Sequence, residues 1–549
     1  MDCLRRLAWA SLLAAATWGT APALAQRQVE LDPVPARPGT SALSPDWQHG
    51  VFMEVFVRAY QDSDGDGIGD LRGLISRLDY LRDLGVTGLW LMPVMPSLDQ
   101  DHGYATHHYR DIEPQYGSLA DFDNLLAQAH ARGIGVIMDY GLNHSAATHP
   151  AFERSVVKGR YRDWYLWSDE QPPASSLYGR DPWVLTDNGS YFASYWSQMP
   201  DFNLRNPAVL AWHQDNLRFW LNRGLDGVRI ESAANLIKNG PDQYEAQPEN
   251  EAILRDLRQL VAAYPNRYLV CEAAAAPLRY ASAEVCGASF AFGHNFNVIG
   301  AAGGDEAALA DAAAYFVSAP PTMATFASSH DGFAGDRLWD QLDGDANAVR
   351  LAAATYLLLP GTPFIYYGEE VGMSAGSGLA DDARLRTPMS WNSEPLGAGF
   401  SRTQPFRTLA SNAGLNNVAV QRNEPGSLWR FYQALIALRK SSPALMQGSY
   451  VAPKADGLVF TFERVLGAQR LLVAINYGLS AAVARPDGLS AGAQLQRRWP
   501  DGAAGDLADP VIGMAARTIA GAAVADAKGQ LPINLPPQSI AVFELTAKP

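Results

Sequence analysis

"GLDGVRIES", residues 224–232, decides the fold. Its core at 225–230 is an apolar run of strand length, and Arg229 and Glu231 stand at its far end. A strand covered on both faces reads as a continuous apolar run, which is the pattern of a parallel sheet wrapped in helices. Seven more runs of this kind lie at 51–60, 86–94, 135–139, 268–271, 289–292, 323–328 and 363–367. Residues at helical spacing fill most of the gaps, as in Leu74, Leu78, Leu81 and Leu84, or Phe122, Leu125, Leu126 and Ala129. Strands alternating with helices in this number predict an α/β fold closed as a (β/α)8 TIM barrel. An open doubly wound sheet is the rival, but no Gly-rich dinucleotide fingerprint follows the first strand.

Outward from the barrel, the rhythm breaks twice. The third and fourth runs are separated by far more chain than a helical crossover needs, and the intervening segment is rich in Trp, Tyr, Pro and Gly. This predicts a small domain at 145–199, inserted between barrel segments 46–144 and 200–440. Beyond 440, short strand-like runs alternate with Gly, Pro and Asp turns, which predicts a C-terminal antiparallel β-sandwich at 441–549. At the other end, Arg5 and Arg6 precede a short apolar stretch, and Ala23 and Ala25 offer a small-residue cleavage site. Residues 1–25 therefore read as a signal peptide and 26–45 as a leader without structure. The expected product is an exported, periplasmic or extracellular monomer with no membrane association after cleavage. Export would expose Cys271 and Cys286 to an oxidising compartment, leaving a disulfide or two buried free thiols, of which free thiols are the favoured reading.

The 549 residues carry a formal charge of −14, which repels phosphate backbones and argues against nucleic acid as a partner. Chemistry in a TIM barrel gathers at the C-terminal ends of the strands. Asp139 ends the third run with Asn143 and His144 beyond it; Arg229 and Glu231 end the fourth, Glu272 the fifth, and His330 and Asp331 the seventh. One such carboxylate alone is best read as a helix cap. Four clusters at one end of the barrel predict a pocket in which carboxylates near an arginine acquire unequal pKa values, as retaining glycoside hydrolysis requires. A metal hydrolase is the weaker reading, because no histidine pair has the helical spacing of zinc ligands.

Several separate motifs, in order, resemble the α-amylase superfamily of retaining α-glucoside hydrolases and transglycosylases. "MDYGLNH" (138–144), "GLDGVRIES" (224–232), "LVCEA" (269–273) and "FASSHD" (326–331) are similar to its strand motifs. "MPDFNLRNPAV" (199–209), "PGTPFIYYGEEVGM" (360–373) and "RTPMSW" (386–391) extend the resemblance, the last toward the oligo-α-glucosidase branch. The resemblance implies Glu231 as nucleophile, Glu272 as general acid/base and Asp331 as the carboxylate that stabilises the transition state. It implies that Arg229 orients the nucleophile, that His144 and His330 bond the sugar, and that Asp139 is a structural carboxylate beneath the site. Within "DHGY" (101–104), Tyr104 would stack on the sugar, and Asp101 resembles a residue that closes the pocket of exo-acting members.

One departure matters: the family places an aspartate where this chain has Glu231. The added methylene displaces the carboxylate by ~1 Å, enough to cost on the order of 100-fold in rate unless the pocket is rebuilt around it. Ser329 and His108 also stand where the family usually has Asn and Asp. The loop "DSDGDGIGD" (62–70) sets Asp62, Asp64, Asp66 and Asp70 at alternate positions with the Ile68 carbonyl between them. That is a hard-oxygen pattern suited to Ca2+, and it resembles the family's first-loop calcium site. The expected substrate is a starch-like α-glucan or maltooligosaccharide. The alternatives are an exo-α-glucosidase or transglucosylase and, in another class, a catalytically silent sugar- or partner-binding descendant motivated by Glu231.

Overall fold

The computed structural model describes residues 28–500 and 519–546. The signal peptide expected at 1–25 lies outside the described residues. Strands β1 (Phe52–Val55), β2 (Gly88–Leu91) and β3 (Gly135–Gly141) begin the barrel. The chain then leaves for a small antiparallel sheet of β4 (Trp167–Ser168), β5 (Trp183–Thr186) and β6 (Gly189–Phe192). It returns as β7 (Gly227–Glu231), β8 (Tyr268–Cys271), β9 (Ala324–Thr325) and β10 (Thr362–Tyr366). These seven barrel strands pair in parallel in the order β8-β7-β3-β2-β1-β10-β9. The strand expected at 289–292 is reduced to two parallel bridges, Cys271 to Ser289 and Phe290 to Ala324, which join β8 to β9 and close the cylinder. Gly287 and Gly293, both at positive φ, turn the chain on either side and leave room for no longer ladder.

Aromatic rings fill much of the barrel interior. Phe52 and Phe364 stack with centroids 4.7 Å apart, and Trp90 packs on Phe290 at 5.0 Å. Helices cover the outside, the amphipathic Pro207–Asn222 among them, burying Val209, Trp212, Leu217 and Trp220 against the barrel. The C-terminal region forms a six-stranded antiparallel sheet and a two-stranded one over their own apolar core of Leu472, Leu495, Ile533 and Phe543.

Two expectations are corrected here. From Gln28 to Ser44 the leader carries no helix or strand, but it is not without structure. Val29 is buried, the Val34 and Arg37 amides donate to Asp215 and Asn222 on the Pro207–Asn222 helix, and Asn222 donates back to the Pro35 carbonyl. Side chains of the barrel thus satisfy backbone groups that the leader cannot pair within itself. Cys271 and Cys286 form a disulfide rather than two free thiols. The Cys271 amide donates to the Ala288 carbonyl at 3.0 Å, so the end of β8 and the chain before Ser289 run side by side. The two Cα atoms come to 6.1 Å, within bonding range.

The inserted sheet is tied to the barrel by one buried ammonium. Lys238 Nζ, from the loop after β7, reaches Asn143 Oδ1 at 2.5 Å, the Asn235 carbonyl at 2.5 Å and Asp201 Oδ2 at 2.6 Å. Asp201 closes the inserted segment and bridges to His144, so the tie lies beside the C-terminal end of β3. Among the described residues no helix is long and apolar enough to cross a membrane.

Candidate active site

The register of β3 against β7 builds the floor. Asp139 lies opposite Arg229 and Gly141 opposite Glu231 in the parallel ladder. Residues two apart share a face of a strand, so both pairs face the barrel axis. Asp139 is fully buried and accepts from Arg229 Nη1 at 2.8 Å, Tyr104 Oη at 2.8 Å and Trp90 Nε1 at 3.1 Å. Three donors account for its persistence in a site with little water. The other terminal nitrogen of Arg229, Nη2, lies 3.1 Å from Glu272 Oε2.

Glu231 stands apart from that guanidinium. Its Oε1 accepts from the Ser232 hydroxyl; its Oε2 is buried, has no hydrogen-bond partner, and lies 4.0 Å from His144 Nδ1. Arg229 acts on Glu231 through its charge, without an ion pair between them among the described residues. Both terminal nitrogens of Arg229 are taken by Asp139 and Glu272, and the longer arm carries the Glu231 carboxylate on toward Ser232 and His144. Burial and the nearby Glu272 carboxylate push Glu231 well above the usual carboxylate range. Burial also raises Glu272, with Arg229 opposing it.

The opposite wall is a charge relay of fixed sign. His330 sits between Glu54 at Nδ1 and Asp331 Oδ2, 3.0 Å from Nε2, and Tyr104 Oη is 2.8 Å from the same Nε2. Burial works against its charge, but Asp331 and Glu54 lift it to about 10, so His330 is a cation at neutral pH. Asp331 is held below its ordinary range against its own burial, by His330 and by Arg386, whose Nη2 lies 3.0 Å away. His144 is driven down to about 4 by burial and is neutral.

These side chains open on a cleft of about 550 Å3. His102, Tyr104, Asp331, Asp382 and Arg386 give it a polar wall; Tyr178, Tyr195, Trp196 and Phe333 give it an aromatic one. Asp101 pairs with Arg407 Nη2 at 2.7 Å, and Arg407 also holds the Arg386 carbonyl, which joins the loop after β2 to the segment after β10. Tyr104 stacks on His330 with centroids 5.7 Å apart. Sequence reasoning missed Glu54, Ser232, Arg386 and Lys238 as parts of this machinery. Arg386 had a signal, since it opens "RTPMSW". Ser232 had one too, as the last residue of "GLDGVRIES"; Glu54 and Lys238 had none, because their charged partners come from distant parts of the chain.

In the acidic loop, Asp62, Asp64 and Asp70 bring carboxylate oxygens within 4.8 Å of one another. Asp66 lies outside that group, its Oδ1 accepting from the Ile68 amide at 2.7 Å. Gly65 and Gly67, at φ +91° and +90°, make the curl. Burial, and then the charges of Asp64, Asp62 and Asp70, raise Asp66. Converging hard oxygens that repel one another fit a divalent cation of the Ca2+ type.

Fold and site together define a TIM-barrel enzyme acting on glycosides. The catalytic-domain model of α-amylase matches residues 54–448, and the chain belongs to the α-amylase family. It is 32% identical over 445 residues to Alpha-amylase 3 of Dictyoglomus thermophilum, covering 79% of this chain and 85% of that one. It is 29% identical over 517 residues to Probable oligo-1,6-glucosidase 2 of Bacillus subtilis, covering 80% and 91%. The solved α-amylase of H. orenii superimposes with a TM-score of 0.76 at 30% identity, over 91% of this chain and all of that one. The chain is thus an α-amylase-family enzyme of α-glucosidic bonds.

Proposed function

We propose that this protein is an exported, retaining hydrolase of starch-like glucans and maltooligosaccharides, with Ca2+ in the 62–70 loop. The observation that carries the reading is the junction at Ser232, which hydrogen-bonds both Glu231 through its hydroxyl and Glu272 through its amide, the latter at 2.7 Å. A single residue that spans two carboxyls keeps them near one another, and a short separation, ~5–5.5 Å, is what retaining enzymes use. The Glu231 carboxylate forms a bond to the anomeric carbon while the glycosidic C–O bond breaks, and the departing oxygen takes a proton from Glu272. Water then attacks the glycosyl ester, gives a proton back to Glu272 and releases Glu231. Asp331 and His144 bond the sugar hydroxyls beside the His330 cation, and Tyr104 offers its ring. Asp62, Asp64 and Asp70 would hold the calcium, which supplies charge neutralisation to the loop.

Attack needs Glu231 ionised, and its pKa is raised. The acid limb of kcat/KM on maltotriose should therefore lie above the ordinary glutamate value of about 4.3. A limb at or below that value would remove Glu231 as the nucleophile. The anomer formed first, read by NMR, decides retention. The Asp101–Arg407 pair favours a second, narrower reading, exo-action from a closed pocket end. A maltoheptaose blocked at its non-reducing end would resist an exo-acting enzyme and yield to an endo-acting one. Binding of maltotriose by calorimetry without turnover of any α-glucoside would instead establish the silent descendant.

A further inference from the structure

Two residues flank the Glu231 carboxylate, and neither is there for its backbone's sake. Gly141 is the last residue of β3 and is not among the glycines at positive φ, so glycine is not needed for its conformation. A Cβ built on Gly141 would meet one atom, Glu231 Oε2 at 4.0 Å. Branched γ carbons would reach further into the volume of that carboxylate. Ser232 shows the converse. It is a non-glycine residue at φ 51°, ψ 34°, a left-handed conformation that costs an L-residue energy. Standing before the turn Ala233–Asn235, its hydroxyl could cap the free amides, yet it makes no cap bond and donates to Glu231 Oε1 instead.

We propose that Gly141 and Ser232 are positioning residues that fit the pocket to a glutamate nucleophile: Gly141 by leaving volume across the ladder, and Ser232 by holding Oε1 and so fixing the rotation of the carboxylate. The proposal rests on the hydrolase reading and extends it. The pocket is then rebuilt around the longer arm, so Glu231→Asp loses activity.

The test measures kcat and KM on maltotriose for Ser232→Ala and Gly141→Val, each in the Glu231 and the Glu231→Asp backgrounds. Ser232→Ala should lower kcat by ~10- to 100-fold and leave KM within a few-fold, the pattern of a misplaced nucleophile. Gly141→Val should cost ~10-fold more beside Glu231 than beside the retracted aspartate, since only the longer side chain occupies that volume. Equal losses in both backgrounds, or a higher kcat for Glu231→Asp alone, would overturn the proposal. Crystal structures of the wild type and of both variants give a readout independent of turnover. The carboxylate should leave its wild-type place in each variant, and an unmoved carboxylate in Ser232→Ala overturns the proposal even if Gly141→Val fails to fold. A wild type without turnover overturns the hydrolase reading alone, and the crystal structures still judge the positioning.

Discussion

Two places in this barrel gather oxygen atoms about a point, and they solve the same electrostatic problem in different ways. Between barrel and inserted sheet, Asn143, Asn235 and Asp201 surround the ammonium of Lys238, so the chain supplies its own cation. In the 62–70 loop, Asp62, Asp64 and Asp70 converge, and among the described residues no side chain forms an ion pair with them. A covalently attached cation cannot be diluted away, whereas a bound ion contributes only in proportion to its free concentration. The first site should therefore be indifferent to chelators and the second sensitive to them.

The largest effect should come from breaking the first. Lys238→Met leaves the fully buried Asp201 without its cation, and removing one partner of a buried pair costs about 3–5 kcal/mol. Thermal melting should show that loss, with much of it restored by adding Asp201→Asn. A loss under about 1 kcal/mol would mean that the junction is held by packing rather than by the ion pair.

Chelation comes next. Removing calcium present at 100 times its Kd should cost about 2.7 kcal/mol, in the wild type and in Lys238→Met alike. A chelator response confined to the wild type would place the ion at the junction, and no response in either would remove the calcium proposal.

Asp70→Ala should abolish the chelator response and subtract about 1 kcal/mol more, because Asp70 caps the helix Leu71–Ser76 by accepting from Gly73 N. A chelator response that survives this change would exclude Asp70 as a ligand.

The smallest effect belongs to Asp66. Its folded pKa lies above the unfolded one, so the folded state binds its proton more readily. The penalty for its charge is present above the raised value and is relieved as pH falls toward the ordinary aspartate range. In chelator, Asp66→Asn should remove that dependence and otherwise change stability within about 0.5 kcal/mol. A larger loss in calcium would show that Asp66 turns inward to join the ligands.

Much of this architecture was legible in the chain. The apolar runs placed seven barrel strands and both departures from the barrel rhythm, because burial on both faces leaves a continuous apolar signature. The strand near Ser289 was overestimated, since an apolar run does not reveal that glycines at each end cut its ladder to two bridges. Asp139, Arg229, Glu231, Glu272, His330 and Asp331 were picked out by their positions at strand ends; Arg229, Glu231, Glu272 and Asp331 line one cleft, with Asp139 and His330 paired to Arg229 and Asp331. Their pairings were not found. Which carboxylate Arg229 holds depends on how β3 and β7 register and on an arm one methylene longer, and neither leaves a mark in spacing.

What the sequence determined by itself was composition-level physics: the periods of burial, the turn chemistry of the 62–70 loop, and the set of ionisable groups delivered to one end of the barrel. Tertiary structure alone decided the state of those groups. Glu54, from β1, meets His330 opposite its chain neighbour Asp331 and with it makes His330 a cation; burial and Glu272 raise Glu231; Lys238 finds its three oxygens across a domain junction. The physical reason is range. Local propensity acts over a few neighbouring residues, but Coulomb interactions and desolvation act through space in a medium of low polarity, where an ångström of placement decides which group carries the proton.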